Sequence, residues 1–178
     1  TLTGPNIGTR TVAPQSPGIY YSELGVGAIT AGTWTLSGSG GAEVGRFGPV
    51  TLNIPALFSV TSFGFTGMTI SQAQALQQSW TCPDSAGNSQ VISGVASVDS
   101  QKSLLGIAFC SAQCAGGTMT VGSDVLRQLP LSGTGEAAVL MFFQPDIQRA
   151  PRITASGLDF GYFVYYDGTI RAGATLVP

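Results

Sequence analysis

The chain has 178 residues, enough for one domain with a hydrophobic core, and its charged residues are only 7 Lys or Arg and 9 Asp or Glu. Histidine is absent, so Ser-His-Asp and Cys-His relays, imidazole metal ligands and histidine proton shuttles are all excluded. A net charge of −2 with a single lysine, Lys102, provides no basic surface for nucleic acid or for an anionic membrane.

Short runs of alternating apolar and polar residues, separated by Gly, Pro, Asn or Asp, predict an antiparallel sandwich or barrel. The first turn, at residues 4–8, joins a strand at 9–13 to only residues 1–3 upstream. Because so short a strand leaves an open edge, we expect either a chain that extends upstream or another subunit that completes the sheet. The residues assigned to this assembly edge are Leu2, Ile7 and Val12, with Ile170 and Leu176 of the last strand.

Residues 38–45 are rich in glycine and are similar to a phosphate-binding loop. The segment lacks the GK[ST] ending of a P-loop, and Glu43 stands where the third Gly of GxGxxG belongs. We therefore interpret it as a tight turn that precedes a strand at 50–54, whose apolar side chains fall on one face.

Three strands at 75–82, 89–98 and 104–110 are predicted to form a meander. In a meander the end of the first strand and the end of the third lie at the same edge of the sheet. This arrangement brings Cys82 close to the turn at 110–114.

The three cysteines allow one disulfide and leave one thiol over. Two strands that share a neighbour are about 10 Å apart, whereas the Cα atoms of a disulfide lie within about 7 Å. Cys114 lies in the predicted loop and can approach Cys82 more closely than Cys110, which lies in register in the third strand. Cys82–Cys114 is therefore favoured over Cys82–Cys110. Cys110–Cys114 is the third alternative.

The second half of the chain carries one helix signal among strand signals. Residues 123–129 offer a Ser N-cap, an acidic first turn and a following Pro, which predict a short helix between sheets. The strands predicted around this helix lie at residues 118–121, 137–143 and 153–156.

The last predicted element is a hairpin. Residues 160–166 run into Asp167-Gly168, a type I′ turn signal, and residues 169–177 return.

Few residue patterns in the sequence indicate catalysis, metal binding or ligand binding. The carboxylates are scattered singly at turns and strand ends and are interpreted as solvated acids. Asp84 and Asn88 offer oxygens, but a calcium site takes six to eight of them, so no metal, cofactor or catalytic residue is predicted. Tyrosine has an apolar ring and a polar tip, and Tyr20, Tyr21 and Tyr165 form the alternative hypothesis of a ligand platform for carbohydrate.

Targeting signals are equally sparse. The longest apolar stretch, residues 137–143, has seven residues, whereas a spanning helix takes about 20, so no membrane span is predicted. The N-terminus has neither a charged nor an apolar leader region, and the first residue is not Met. We expect a processed, secreted chain whose signal segment is not part of this sequence.

Several segments together resemble a family, the uncharacterised secreted Ig-like β-sandwich proteins of acidobacterial type. The resemblance spans about residues 1–165 and is carried by 38–47, Trp80, Phe109-Cys110, 118–121 with Val125-Leu126, Leu129-Pro130, and 157–159. It implies secretion, an Ig-like sandwich and a chain that continues upstream of Leu2, and it brings no catalytic residues. Such sequences more often have Gly at the position of Cys82, so the disulfide is not part of what the resemblance implies.

The sequence therefore predicts an all-β protein, an antiparallel Ig-like β-sandwich of about ten or more short strands in a single domain, residues 1–178. The predicted function is that of a non-enzymatic extracellular or cell-surface structural protein, a surface or filament-forming subunit. Identical subunits are its expected partners, joined as a homopolymer by edge-strand addition and apolar contacts. The alternative is a carbohydrate-binding or adhesin module.

Overall fold

The computed structural model describes residues 1–16, 18–62, 68–83, 88–133 and 135–178, with only the backbone described at 169, 171 and 172. Strands dominate these residues, and their one α-helix is a four-residue connector, so the predicted all-β, sandwich-like fold with one short helix is confirmed. The elements are β1 (Leu2–Gly4), β2 (Gly8–Arg10), β3 (Pro14–Ser16), β4 (Ile19–Tyr20), β5 (Gly32–Gly38), β6 (Phe47–Ile54), β7 (Ser59–Val60), β8 (Thr69–Ser71), β9 (Leu76–Thr81), β10 (Gln90–Val98), β11 (Leu104–Gln113), β12 (Thr118–Val121), α1 (Ser123–Leu126), β13 (Ala137–Gln144) and β14 (Asp167–Val177).

The chain forms two compact units. The first consists of Thr1–Leu57 with Ile147–Tyr165, and the second of Phe58–Asp146 with Tyr166–Pro178. The first contains a four-stranded sheet in the order β2-β1-β5-β6 and the pair β3-β4. The second contains a five-stranded sheet, β11-β10-β13-β14-β8, and a three-stranded sheet, β12-β9-β7.

The hairpin predicted around residues 4–8 opens the first unit, where β1 pairs with β2 and Gly4 lies opposite Gly8. The ring of Trp34, which is buried in β5, covers Gly4 so closely that a Cβ atom there would overlap it. Gly4 is therefore required by packing, because the indole occupies the place of a side chain.

The core of the second unit lies on one face of its five-stranded sheet. β10 pairs antiparallel with β11 on one side and with β13 on the other. Alternate residues of β10 and β13 are buried on the inner face, as period-two alternation requires. They are Val91, Ser93, Val95 and Ser97 of β10 and Ala137, Val139, Met141 and Phe143 of β13. The three-stranded sheet adds Gln78, Trp80, Met119 and Val121.

The predicted final hairpin is wrong. β14 begins at Asp167 itself and pairs with β13, with Asp167 opposite Phe143. The carboxylate of Asp167 also accepts a hydrogen bond from the backbone N–H of Phe58 at 3.0 Å. The local turn signal of Asp-Gly is thus overridden by long-range strand pairing. The segment before it, predicted as a strand, contributes only an isolated bridge from Tyr162 to Arg152.

Two further predictions need correction. The strand predicted at 153–156 is absent, since these described residues form no strand. The meander prediction is correct for β10 and β11, which pair, and wrong for β9, which belongs to the three-stranded sheet. Period-two alternation identifies a strand, whereas the sheet that it joins depends on partners distant in sequence.

Candidate functional site

The structure contains the Cys82–Cys114 disulfide that the sequence favoured, with the two Cα atoms 5.5 Å apart. Cys82 follows β9, and Cys114 is fully buried in the turn that leaves β11. The bridge therefore ties the three-stranded sheet to the end of the five-stranded sheet. A disulfide is typical of proteins that fold in an oxidising compartment.

Trp80 supports the disulfide from within the core. Its indole N–H donates a buried hydrogen bond to the carbonyl of Cys114 at 2.8 Å, and its backbone N–H donates to Gly117 at 2.9 Å. The backbone N–H of Cys114 donates in turn to the carbonyl of Ser89 at 2.8 Å. These bonds fix the turn from which β12 starts.

Replacing Trp80 by Phe tests this support. The substitution keeps most of the ring but removes the indole donor, so the buried carbonyl of Cys114 loses that partner. We expect the free energy of unfolding to fall by about 1–3 kcal/mol, measured by urea denaturation. Tyr21→Phe is the control, since it removes an exposed hydrogen bond to Glu23, and its effect should stay within about 0.5 kcal/mol. Equal effects of the two substitutions would contradict the assigned role.

The most unusual surface of the second unit is the outer face of the five-stranded sheet. One row of directly paired residues crosses four strands, namely Phe109, Gly94, Leu140 and Ile170. Phe109 and Ile170 are each 61% exposed. A Cβ atom on Gly94 would lie 2.8 Å from the ring of Phe109 and 3.1 Å from Leu140, so both side chains lean over the glycine.

The neighbouring rows extend this apolar surface. Directly paired residues share a face of a sheet, so the row of Ile107, Ala96 and Ala138 and the row of Ser111, Ile92, Phe142 and Gly168 lie on the same side as Phe109. We call the set formed by Ile107, Phe109, Leu140, Phe142 and Ile170 the outer apolar face. All the side chains named in the three rows are uncharged.

The outer apolar face ends at a free strand edge. β11 is the terminal strand of its sheet and, among the described residues, pairs with β10 alone. Its ten residues, LLGIAFCSAQ, include no charge and no proline. A long edge strand without these features is a template for pairing with another chain. The hairpin turn before it is fixed by Asp99, whose carboxylate accepts the N–H groups of Gln101 and Ser103 at 2.8 Å each.

Neither Ile107 nor Phe109 was predicted from the sequence to lie at the assembly edge, and both lie on the outer apolar face. The signal was present, because the strand predicted at 104–110 contains no charged residue and no proline. Cys110, the remaining free thiol, lies half-buried in the same strand, opposite Ser93.

The predicted assembly edge is placed differently. Leu2 lies in an inner strand, since β1 pairs with β2 on one side and β5 on the other. Leu176 is 3% exposed and pairs with Ile70 of β8. Ile7 and Val12 are half-buried outside the strands. Of the five residues, Ile170 alone lies on the outer apolar face. The turn signal at residues 4–8 located the hairpin but carried no information on the pairing of β5 with β1.

The tyrosines of the predicted ligand platform differ in exposure. Tyr20 and Tyr21 are 66% and 59% exposed at the end of β4, and the hydroxyl of Tyr21 donates to Glu23 at 3.2 Å. Tyr165 is half-buried. β4 ends at Tyr20, so Tyr21 lies just beyond the strand.

Sites for metals and phosphate gain no support. Asp84 lies outside the described residues, and Asn88 is exposed. Within the described part of the chain, no group of three or more acidic, His or Cys side chains is placed to hold a metal ion. The glycine-rich segment is a turn between β5 and β6, closed by a hydrogen bond from Gly41 N–H to the Val44 carbonyl at 2.7 Å.

None of the helices among the described residues has the length and apolar character needed to cross a membrane. Comparisons with models of protein families, with curated proteins and with solved structures find no match to this chain.

Proposed function

We propose that the protein is a non-enzymatic structural subunit of an extracellular or cell-surface assembly, which associates with identical copies. The observation that carries this proposal is the outer apolar face, where Phe109 and Ile170 are each 61% exposed on a regular sheet. An apolar surface of this kind on a soluble protein is typical of an interaction site.

Hydrophobic burial favours association at this face. Fully burying one Phe or Ile side chain contributes about 1.5–3 kcal/mol, and a contact between two copies covers the same residues twice. Because these rows are uncharged, two identical faces meet without like-charge repulsion. Because the protein has few charged residues, electrostatic repulsion between two copies does little to prevent their apolar surfaces from meeting.

The disulfide supports the extracellular part of the proposal. Structural disulfides persist in oxidising compartments and are rare in the reducing cytosol. The Cys82–Cys114 bridge joins a core strand to a fully buried turn residue, so it belongs to the folded architecture rather than to a labile surface loop.

Phe109→Lys tests the proposal. The substitution removes the most exposed ring of the face and adds a charge, so we expect the wild-type protein to associate with rising concentration and the variant to remain monomeric. Sedimentation velocity over a concentration series measures this difference. The matched control is Tyr20→Lys, since Tyr20 is a strand aromatic of similar exposure, 66% against 61%. It should associate like the wild type.

Two results would overturn the proposal. One is a wild-type protein that stays monomeric up to its solubility limit. The other is association that Phe109→Lys and Tyr20→Lys weaken equally. That result would show that losing an aromatic ring and adding a charge weakens association wherever the residue lies, and not specifically at the outer apolar face.

A further inference from the structure

The direction of each backbone group in β11 follows from two hydrogen-bond observations. The N–H of Cys114 donates to the carbonyl of Ser89, a pair that continues the β10–β11 register. On the other side of β10, Val98 and Glu136 exchange both bonds, at 2.9 and 3.2 Å. Bonded pairs alternate along an antiparallel ladder. Odd-numbered residues of β10 therefore bond to β11, and even-numbered ones bond to β13.

The same alternation gives the free groups of β11. From Gly106 to Gln113, where the register with β10 is constant, the even-numbered residues of β11 lie opposite the odd-numbered residues of β10 and bond to them. The N–H and C=O groups of the odd-numbered residues in this span therefore point to the free edge. These residues are Ile107, Phe109, Ser111 and Gln113. The side chains of Ile107 and Phe109 belong to the outer apolar face, so the free edge and that face share residues.

We infer that two copies of this chain pair antiparallel through β11, about a two-fold axis at Ala108, to form one continuous sheet. This inference rests on the proposed function and specifies its contact. The edge of a single strand is complementary to itself when antiparallel, because each residue that offers an N–H also offers a C=O. The contact is thus of the isologous type that most homodimers use.

The side chains select the register. With the axis at Ala108, Ile107 of each copy lies directly opposite the partner's Phe109, and aromatic to β-branched pairs stabilise antiparallel sheets by about 0.2–1 kcal/mol each. An axis at Phe109 would place Ile107 opposite the partner's Ser111, and an axis at Cys110 would place Phe109 opposite the partner's Ser111. Either register would pair an apolar side chain with a polar one. The Ala108 axis also lies near the middle of Leu104–Gln113, so it aligns almost the whole strand.

The charged residues near β11 are compatible with this antiparallel pairing. The nearest ion pair precedes the strand, where Lys102 and Glu136 lie 2.7 Å apart. Antiparallel pairing brings this end of one copy toward the partner's Gln113, which is uncharged. A two-fold contact closes on itself, so growth beyond the dimer uses the outer apolar face, which the pairing doubles in width.

Disulfide cross-linking tests the register. The Ala108 residues of the two copies would form a non-hydrogen-bonded pair with Cα atoms about 4.5 Å apart, within the range of a disulfide. The test variant is Ala108→Cys in a Cys110→Ser background, oxidised under mild conditions and analysed on non-reducing gels. Ala112→Cys in the same background is the matched control, because its Cα would lie about 27 Å from the partner's Ala112.

The expected result is a covalent dimer of Ala108→Cys that forms on the order of tenfold or more faster than that of the control, because pairing raises the effective concentration of the thiols. The wild-type Cys110 should cross-link slowly, since it lies about 13 Å from its counterpart. Equal rates at the three positions, or faster cross-linking at Cys110, overturn the inference. If the wild type associates in sedimentation while Ala108→Cys fails to cross-link, this contact is wrong and the proposed function stands. A monomeric wild type overturns both.

Discussion

Removing the Cys82–Cys114 bridge is expected to lower the free energy of unfolding by about 3–4 kcal/mol, the chain-entropy value for a loop of this size. The two cysteines are 32 residues apart in the sequence, and the loop between them contains all of β10 and β11. The bridge restricts the unfolded chain and also holds the end of β9 beside the turn that starts β12. A cost of this size is a large share of the stability of a single domain.

Urea denaturation of Cys82→Ala/Cys114→Ala against the wild type measures this effect. Alanine is used because Cys114 is fully buried and a serine hydroxyl there would add its own desolvation cost. Cys110→Ser is the control, since that thiol is free. A reducing agent should lower the midpoint of the wild type but not that of the double variant. An unchanged wild-type midpoint in reductant would contradict the assigned role of the bridge.

Phe143→Ala is expected to cost about 3–5 kcal/mol of stability, as large-to-small substitutions of buried aromatic residues do. Phe143 is 1% exposed on the inner face near the end of β13, and its ring stacks on Phe58 with a centroid distance of 6.3 Å. Deleting the ring removes this contact and leaves a cavity between strands that are held on both sides. The neighbours are therefore unable to collapse fully into the space.

Phe109→Ala provides the matched comparison, because it truncates the same residue type on the opposite face of the same sheet. Phe109 is exposed, so its substitution should change the stability of the monomer by no more than about 0.5 kcal/mol while weakening association. Urea denaturation at concentrations below those of association separates the two effects. A similar loss of stability in both variants would show that the outer face belongs to the folded core, in conflict with its proposed role in assembly.

The sequence predicted strands best where alternation is bounded by turn residues. β12 was predicted at its observed bounds, and β10 and β13 within one residue at each end. The helix was also located, although it is capped by Gly122 rather than by Ser123. In these segments local preference and tertiary structure agree, which is typical of foldable sequences.

Errors arose where a local signal competed with distant partners. The Asp167-Gly168 turn signal lost to the pairing of β14 with β13, and β9 joined a sheet other than the one that its neighbours in sequence formed. The disulfide prediction was nevertheless correct. Both arrangements bring the end of β9 near the turn after β11, because β12 starts from that turn and pairs with β9.

The structure places the proposed contact surface away from the edge that the sequence predicted. Low charge indicated apolar contact surfaces, and edge-strand addition was the expected mode of assembly. The first hairpin attracted the assignment because its strand is short, whereas β5 covers that strand in the structure. Which strand ends a sheet is a property of topology, so the edge at β11 becomes visible only when the order of the strands is known.

Hydrogen exchange of the β11 amides, followed by NMR over a concentration series, tests the central claim most directly. The N–H groups of Ala108 and Cys110 bond to β10 and should exchange slowly at every concentration. The N–H groups of Ile107, Phe109 and Ser111 point to the free edge and should exchange quickly in dilute protein, then become protected as copies associate. Fast exchange of these three amides in protein that has associated would contradict assembly through this strand.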